Sequence, residues 1–382
     1  MGKKTNNSQN GKKTKYNNKY PFVSVCTPTF NRRPFMPIII KCFENQTYPR
    51  DRMEWIIVDD GPDKIEDLVA HLPYVKYIRF DEKMTLGKKR NITNANAKGE
   101  IIVYMDDDDY YPPERVSHAV EKLTGSSALC AGSSAMFIYF KHINKMYQFG
   151  PYGATHSTAA TFAFKRELLE KTKFNEESAV AEERHFLKDY TIPFIQLDSD
   201  KSILVVSHDH NSFDKKELLK QMPNQFIKES SLLPKDLIKE PAILKFFMED
   251  IDVLLAGYEP GKLDYKPDVK KQLEELKITR ERQMQEQIKQ HSINTTKNNE
   301  MVQQKVNEQS MMIQQLTFEN KQLKDQVQYL DNKIKQIISA QLEKLKEAKL
   351  KEKLKEKEKE KEKEEPINTT IDDFIFLTKD EI

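Results

Sequence analysis

The run IIVYMDDDDYYPPERV at residues 101–116 indicates the fold of this chain. An apolar, β-branched stretch ends in four consecutive aspartates, and a Pro-Pro pair typical of a helix start follows. In α/β proteins ligands bind where parallel strands end, so we expect residues 106–109 at such a sheet edge. Four adjacent carboxylates repel one another unless a cation is near, and hard oxygen ligands suit Mg²⁺ or Mn²⁺. For this run alone, a calcium site and an acidic loop without metal remain alternatives.

Strand and helix patterns alternate through the first half of the chain. Strands that are apolar on both faces and separated by helices predict a parallel sheet covered on both sides. This half is therefore predicted to be α/β and Rossmann-like, with an antiparallel addition to the sheet edge after residue 108. The predicted strands are VSVCT (23–27), EWIIVD (54–59), VKYIRF (75–80) and EIIVYM (100–105), and the predicted helices cover about 35–46, 62–70 and 85–97.

Composition argues against several classes of protein. With 62 Lys and Arg against 60 Asp and Glu, the net charge of +2 gives no reason to expect nucleic-acid binding. The three cysteines form no CxxC pair, so neither a disulfide framework nor a structural zinc site is expected, and a cytoplasmic location fits best. No apolar stretch approaches the ~18 to 20 residues of a transmembrane helix, so we expect a soluble or peripherally attached protein. Residues 1–20 are interpreted as a disordered basic leader.

The second half of the chain changes character twice. Residues 215–265 are predicted to form a helical extension, because apolar residues recur there at i, i+3 and i+4 spacing. From residue 266 onward Gln, Lys, Glu and Asn dominate, and a coiled coil is predicted over 266–345. Residues 346–382 are predicted to form a charged Lys/Glu helix and a flexible tail.

The coiled-coil prediction depends on a heptad repeat between residues 302 and 341. Nine of its 12 core positions are apolar, with β-branched residues at a and mostly Leu at d, which favours a parallel two-stranded coiled coil and hence a homodimer. Asn320, at an a position, would fix the register. A single amphipathic helix docked on the globular part is the alternative. The a positions are Val306, Ile313, Asn320, Val327, Ile334 and Gln341, and the d positions are Val302, Gln309, Leu316, Leu323, Leu330 and Ile337.

Three further blocks precede the acidic run: SVCTPTFNR (24–32), IIVDDGPDK (56–64) and TLGKKRNITNANAKGE (85–100). In order and spacing, the four blocks resemble the nucleotide-sugar-binding half of family 2 glycosyltransferases, which have the GT-A fold. The resemblance covers about 22–212, roughly half of the chain, and it implies a GT-A glycosyltransferase domain at 21–214. Four ordered blocks are more specific than any one motif.

The resemblance implies a nucleotide-sugar donor whose nucleobase lies at the ends of the first two strands. A carboxylate there can accept the uracil N–H, which favours a UDP-sugar, and Asp60 is the better of two candidates. Arg90 is expected near the nucleotide, with Lys88 or Lys89 assisting, although a solvated helix face is the alternative for these basic residues. The residues expected to line the nucleobase pocket are Thr27, Pro28, Asp59 and Asp60.

The family's DxD motif implies a Mn²⁺ or Mg²⁺ ion that bridges the donor diphosphate. Asp108 would ligate the ion, and Asp106 would hold the ribose or a metal-bound water, with Asp107 and Asp109 as secondary candidates. Such an ion neutralises the negative charge that develops on the leaving diphosphate.

The segment SHDHNSF (207–213) resembles the part of the family that supplies a late metal-binding histidine. The HxxN pattern selects His208 as the third metal ligand, with Asn211 in the Asn position. His210 and a pair of exposed histidines without a metal are the alternatives, because residues i and i+2 share one face of a strand.

The family places an acidic pair, commonly Glu-Asp, at the start of a helix beneath the acceptor site. Glu182 and Glu183 stand in the matching order, and Glu183 falls on the position of the general base. Glu176 and Glu177 are competitors, since a preference for acidic residues at helix N-termini could explain any of these residues.

The acceptor, a glycan or a protein, is left open by the sequence. Tyr152, His156 and Trp55 could stack on a sugar, although core packing is expected for Trp55. The predicted function is a metal-dependent, inverting glycosyltransferase, and the alternative is an inactive GT-A domain that acts as a coiled-coil adaptor. All these chemical candidates lie before residue 212, so a chain that ends near 265 is expected to keep donor binding.

Overall fold

The structure is a computed structural model that describes residues 20–360, with side chains described to residue 356. The basic leader up to residue 19 and the tail from residue 361 lie outside the described residues. The described chain divides into two compact units, one ending at Arg282 and one beginning at Gln283. Among the described residues no helix is both long and apolar enough to cross a membrane.

Strands make up two sheets in the first unit. One sheet has seven strands and the other has four. In chain order the strands are β1 (Val23–Thr29), β2 (Met53–Asp59), β3 (Val75–Arg79), β4 (Ile101–Tyr104), β5 (Cys130–Gly132), β6 (Met136–Phe140), β7 (Lys145–Phe149), β8 (Ala163–Lys165), β9 (Phe194–Gln196), β10 (Leu204–Ser207) and β11 (Ile227–Glu229).

Helices cover the sheets and continue into the second unit. Most are short, and the last has 94 residues. In chain order the helices are α1 (Met36–Glu44), α2 (Glu66–Val69), α3 (Leu86–Asn96), α4 (Arg115–Thr124), α5 (Glu183–Phe186), α6 (Lys216–Leu219), α7 (Pro234–Leu237), α8 (Pro241–Lys245), α9 (Ile251–Ala256) and α10 (Pro267–Glu360).

The large sheet has the order β3-β2-β1-β4-β8-β5-β9, and its first four strands are parallel. The prediction of an α/β, Rossmann-like half is therefore confirmed. Strand β8 runs antiparallel to β4, as expected for an addition at the sheet edge. In the register of the sheet, Thr29 lies opposite Asp59 and Cys26 lies opposite Tyr104. The segments that follow β1, β2 and β4 therefore meet at one edge.

The small sheet has the order β10-β6-β7-β11. Its strand β10 pairs parallel with β6 instead of extending the large sheet. A polar contact also ties β10 to the acidic run: the backbone N–H of Val206 donates to Asp109 Oδ1 over 3.1 Å. Because Asp109 belongs to the acidic run, this bond brings the end of β10 to the functional edge of the large sheet.

The helical extension is only partly helical. The pattern at 213–222 gives one turn, α6, since Pro223 disfavours helix at the residue before it, and β11 follows. The pattern at 242–258 gives α8 and α9, joined by a π-helical turn at Phe246–Asp250. Their buried face packs into the main core through Ile243, Phe246, Phe247, Ile251 and Leu255.

Trp55 belongs to the core beneath the large sheet. Its ring is fully buried and stacks on Phe43 of α1 at a centroid distance of 4.8 Å. Its indole N–H donates to Thr27 Oγ1 over 2.9 Å, so the polar end of the ring is satisfied. Trp55 therefore packs in the core, as the sequence suggested, and does not stack on a sugar.

Gly87 lets α3 pack tightly against the loop that precedes α5. A Cβ at this position would lie 2.0 Å from the carbonyl oxygen of Asn175. The backbone N–H of Gly87 also donates to the carbonyl oxygen of Ser178 over 2.8 Å. The distance between the helix that carries Arg90 and the loop that leads to Glu182 therefore depends on a missing side chain.

We predict that Gly87→Ala lowers the free energy of unfolding by about 1 to 3 kcal/mol, because the methyl group must displace backbone atoms. Urea unfolding followed by the fluorescence of Trp55, the one tryptophan, measures the effect on this unit. Gly257→Ala is the control, since a Cβ there meets nothing within 4 Å. Equal losses in both variants would contradict the packing argument.

Candidate active site

A cation-rich cavity of about 140 Å³ lies at the edge where β1, β2 and β4 end. Aspartates of the acidic run form one wall, and basic residues surround them. The charged lining residues are Arg32, Lys83, Lys89, Arg90, Lys266, Asp106, Asp107, Asp108 and Asp268, and Pro28 is among the uncharged ones. Such a lining suits a ligand with phosphate groups, which a divalent cation would share with the aspartates.

Asp106 is held in place by its backbone and its side chain. Its backbone N–H donates to the hydroxyl oxygen of Tyr111 over 2.7 Å, and its carboxylate accepts from Arg90 over 3.3 Å. Burial raises the pKa of Asp106 above its ordinary value. Arg90 is almost fully buried and lies over the ring of Tyr104 at 4.5 Å. Arg90 and Asp106 are therefore paired.

Arg32 neutralises the next two aspartates. Its guanidinium lies 3.1 Å from Asp108 Oδ2 and 3.6 Å from Asp107 Oδ1, and it donates to the carbonyl oxygen of His210 over 2.8 Å. Burial raises the pKa of Asp107 to about 6. Sequence reasoning did not assign Arg32, although it ends the block SVCTPTFNR.

Asp108 and His208 form the pair that a metal would use. Burial alone would raise the pKa of Asp108, but Arg32 and His208 hold it well below the ordinary value. His208 Nε2 lies 3.5 Å from Asp108 Oδ2, and its Nδ1 accepts from the backbone N–H of His210. Burial lowers the pKa of His208 to about 4, so the imidazole is neutral at pH 7, as a metal ligand must be. The ring of His210 instead lies near Tyr258, at 6.2 Å.

The donor set fits a shared metal site better than a closed one. Among the described residues no group of three or more His, Cys, Asp or Glu side chains is arranged to hold a metal. Asp108 and His208 offer two ligands, while Asp106 is paired with Arg90. Mg²⁺ commonly takes only one or two carboxylates from the protein and completes its shell with substrate phosphates and water.

The side chain of Asp109 binds the backbone of a neighbouring strand. Its side chain is buried and accepts the backbone N–H of Val206 from β10. Burial, together with the neighbouring Asp108, raises its pKa well above the ordinary value. This bond positions the strand that carries His208.

The residues expected around the nucleobase separate into two groups. Thr27 donates to the carbonyl oxygen of Met105 over 2.6 Å and so joins β1 to the residue after β4, whereas Asp59 accepts from the backbone of Gly61 and Ile65 and so holds the loop after β2. Asp60 lies beneath the cavity and accepts from Lys89 Nζ over 2.8 Å and from the backbone N–H of Met84. Pro28 and Lys89 line the cavity itself, whereas Lys88 is exposed, as the solvated-face alternative holds.

The acidic pair of α5 lies next to Arg90. Glu182 is buried and accepts from Arg90 Nε over 2.8 Å, so a single guanidinium joins it to Asp106. Glu183, the first residue of α5, is partly exposed. Burial and the neighbouring Glu182 raise its pKa to about 7. Glu176 and Glu177 are both exposed.

A row of aromatic rings lies on the side of Glu183. The ring of His156 lies between Tyr152, at 5.0 Å, and Tyr190, at 5.3 Å. The charge of Glu183 contributes to a raised pKa of Tyr190, after the larger effect of burial, which places the two groups near each other. A second cavity of about 410 Å³ lies beside Tyr152 and Gln196. Sequence reasoning singled out Tyr152 and His156 but missed Tyr190.

Lys266 is a further cavity residue that the sequence patterns did not reveal. It is 5% exposed, and burial together with Arg32 lowers its pKa to about 7. It precedes α10 directly, and Asp268 and Val269 of that helix also line the cavity. Contrary to the expectation that all candidates precede residue 212, a chain that ended at 265 would lack this wall.

Comparison with known proteins agrees with this geometry. Residues 24–190 match the family model described as Glycosyl transferase family 2. The putative colanic acid biosynthesis glycosyl transferase WcaA of Escherichia coli is 34% identical over 102 residues, which cover 25% of this chain and 36% of WcaA. The GalNAc(5)-diNAcBac-PP-undecaprenol β-1,3-glucosyltransferase of Campylobacter jejuni is 29% identical over 178 residues, 41% of this chain and 56% of that protein. Each match thus spans less than two thirds of the relative.

Solved structures of glycosyltransferases give more distant matches. The mannosyltransferase PcManGT of Pyrobaculum calidifontis, in complex with GDP-Man and Mn²⁺, aligns over 66% of this chain and 74% of its own, with a TM-score of 0.42 and 17% identity. Residues 1–349 of TarS of Staphylococcus aureus, in complex with UDP-GlcNAc, align over 49% of this chain and 59% of theirs, with a TM-score of 0.38 and 20% identity. The family match covers the four sequence blocks, the large sheet except its last strand, and α5. Residues 24–190 thus match the model of glycosyl transferase family 2, and the Rossmann-like α/β architecture of this region is that of the GT-A fold.

Proposed function

We propose that this protein is a metal-dependent, inverting glycosyltransferase that moves a sugar from a UDP-sugar to an acceptor hydroxyl. One observation carries the proposal: Arg90 joins Glu182, the neighbour of Glu183, to Asp106, and two residues later in the same acidic run Asp108 faces His208. One side of this network suits a diphosphate with its cation, and the other offers a base.

The donor side would bind and neutralise the leaving group. Asp108 and His208 would hold Mn²⁺ or Mg²⁺, which supplies a positive charge to the diphosphate. Arg90 and Lys89 line the same cavity, and Asp60 orients Lys89 through a 2.8 Å ion pair. Asp60 follows β2, where the family resemblance implies a carboxylate that accepts the uracil N–H, which is the reason for proposing UDP.

The acceptor side would remove a proton. Glu182 already accepts a hydrogen bond from Arg90. Glu183 is therefore the member of the pair whose carboxylate would accept a proton from the acceptor hydroxyl. A pKa of about 7 suits a general base that operates near neutral pH. Tyr152, His156 and Tyr190 would offer ring faces to a sugar acceptor.

The long helix would make the protein a homodimer. All residues from 302 to 341 are exposed in the single chain, although nine of the 12 heptad core positions are apolar. Val327 and Leu330, for example, expose 65% and 56% of their surface. A parallel coiled coil with a second copy would bury this stripe in knobs-into-holes packing, and Asn320 at an a position would select two strands in register.

Asp108→Asn tests the metal site, because it keeps the shape of the side chain and removes its charge. In a hydrolysis screen across UDP- and GDP-sugars, the wild type should release UDP from one donor in the presence of Mn²⁺. The variant should lose on the order of 10²-fold of this rate or more, since the charge on the leaving group is no longer neutralised. The unfolding temperature should not rise, because Arg32 loses its ion pair.

The matched control for the metal site is Asp200→Asn, an exposed aspartate that should leave hydrolysis unchanged. Hydrolysis that is equally fast in Asp108→Asn, or that needs no divalent cation in the wild type, would refute the metal assignment. No hydrolysis of any UDP-sugar would refute the donor assignment.

Glu183→Gln should lower the rate of sugar transfer by ~10² to 10⁴-fold while UDP affinity stays near that of the wild type, because only basicity is lost. In the wild type the rate should fall as the pH drops below about 7, since a protonated carboxyl cannot accept the proton. This acidic limb should be absent from the residual rate of the variant. Glu177→Gln, at an exposed position, is the control. A larger loss in Glu182→Gln would move the base to Glu182.

Leu323→Lys combined with Leu330→Lys should convert a dimeric protein into a monomer, because two d positions become charged. Light scattering on the full chain measures the mass. Gln322→Lys with Gln328→Lys adds the same charges outside the a and d positions and should leave the dimer intact. A monomeric wild type would contradict the proposed assembly.

A further inference from the structure

A strap of residues 258–272, which joins α9 to the first turns of α10, runs along the cation-rich cavity. Its first part is fixed to the loop after β1: Asn31 Nδ2 donates to the carbonyl oxygen of Pro260 over 2.8 Å, and Arg32 donates to that of Gly261 over 3.2 Å. A Cβ at Gly261 would lie 2.6 Å from His210 Nδ1. The strap therefore packs against the side chain of His210, two residues after His208.

The second part of the strap is fixed to the loop that leads to α5. Gln272 donates to the carbonyl oxygen of Glu177 over 2.6 Å and accepts from the backbone N–H of Ala179 over 2.8 Å. Asp268 forms an ion pair with Lys83 across the cavity. With both parts fixed, Lys266 has one location, inside the wall of the cavity.

Lys266 differs from the other basic residues of the cavity in its partner. Of the five basic residues that line the cavity, four form ion pairs with carboxylates of the described chain. Lys266 instead donates a hydrogen bond to a neutral hydroxyl, Ser212 Oγ, over 3.1 Å. The four ion pairs with the shortest contacts are Arg32–Asp108, Lys83–Asp268, Lys89–Asp60 and Arg90–Glu182.

A buried ammonium without a paired carboxylate is costly, which agrees with the lowered pKa of Lys266, and an anion bound beside it would restore the charged form. An ammonium has three N–H donors, so Lys266 retains donors beyond its bond to Ser212. Lys266 shares the cavity wall with Asp108 and Arg90, the residues assigned above to the cation and the nucleotide. The anion that fits this place is a diphosphate bound together with its cation.

We propose that Lys266 binds the diphosphate of the nucleotide-sugar donor, and that the strap exists to deliver it. This proposal rests on the proposed function, since it assumes that a nucleoside diphosphate occupies the cavity. It assigns Lys266 to the leaving group and not to the nucleobase or the acceptor. It also makes the start of α10 part of the donor site.

The test compares UDP with uridine, which lacks the phosphates. Binding of UDP in the presence of Mn²⁺ is measured by isothermal titration calorimetry, and binding of uridine by saturation-transfer NMR, for full-length wild type and Lys266→Met. Loss of a hydrogen bond between charged groups should weaken UDP binding by ~10 to 100-fold and leave uridine binding unchanged. Lys266→Arg, which keeps the charge, should retain most of the UDP affinity.

Lys270→Met is the matched control, since Lys270 lies one helical turn later, is exposed and pairs with Asp264. It should bind both ligands as the wild type does. Equal UDP affinity in Lys266→Met and wild type would overturn the assignment of Lys266 while the proposed function stands. Equal weakening of UDP and uridine, without rescue by Lys266→Arg, would also overturn it, because it indicates a structural role. A wild type that binds no UDP would refute the proposed donor itself.

Discussion

The buried guanidinium of Arg90 joins the two halves of the candidate active site. It contacts Asp106 at the end of β4 and Glu182 at the start of α5, while its plane lies over Tyr104. Removing one partner from a buried ion pair typically costs about 3 to 5 kcal/mol, because the other charge stays buried and unpaired. Asp106 and the acidic pair are therefore held at a fixed separation. The missing side chain of Gly87 lets α3, the helix that carries Arg90, lie close to the loop that precedes α5.

Charge balance organises the rest of the cavity. Asp108 faces both Arg32 and His208, and an ionised carboxylate beside a neutral imidazole suits a divalent cation. Under the proposed function, a diphosphate would bring additional negative charge, which the cation and Lys266 would compensate. The strap places Lys266 and the first turn of α10 at the cavity, although the four sequence blocks lie earlier in the chain.

The sequence was a reliable guide where the relevant contacts are local. The parallel strands and the acidic run lie where their patterns indicate, because strand periodicity and the position of a residue after a strand are local properties. The choice between His208 and His210 was less secure, since both follow the same strand. In the structure His208 lies 3.5 Å from Asp108, whereas His210 faces the strap and Tyr258. The placement of β10 in a second sheet also escaped prediction, because it depends on pairing with β6, a strand more than 60 residues earlier.

The sequence by itself thus determined the α/β class, the four ordered blocks and the apolar stripe of the long helix, because residue type and spacing define each of these features. Only the tertiary structure decided which charges meet. Arg32 contacts a strap more than 200 residues later, and Lys266 reaches Ser212 across 54 residues. Sequence periodicity does not reveal such pairs, because the folded backbone brings the two residues together. The energy of the contact depends on burial, which exists only after folding.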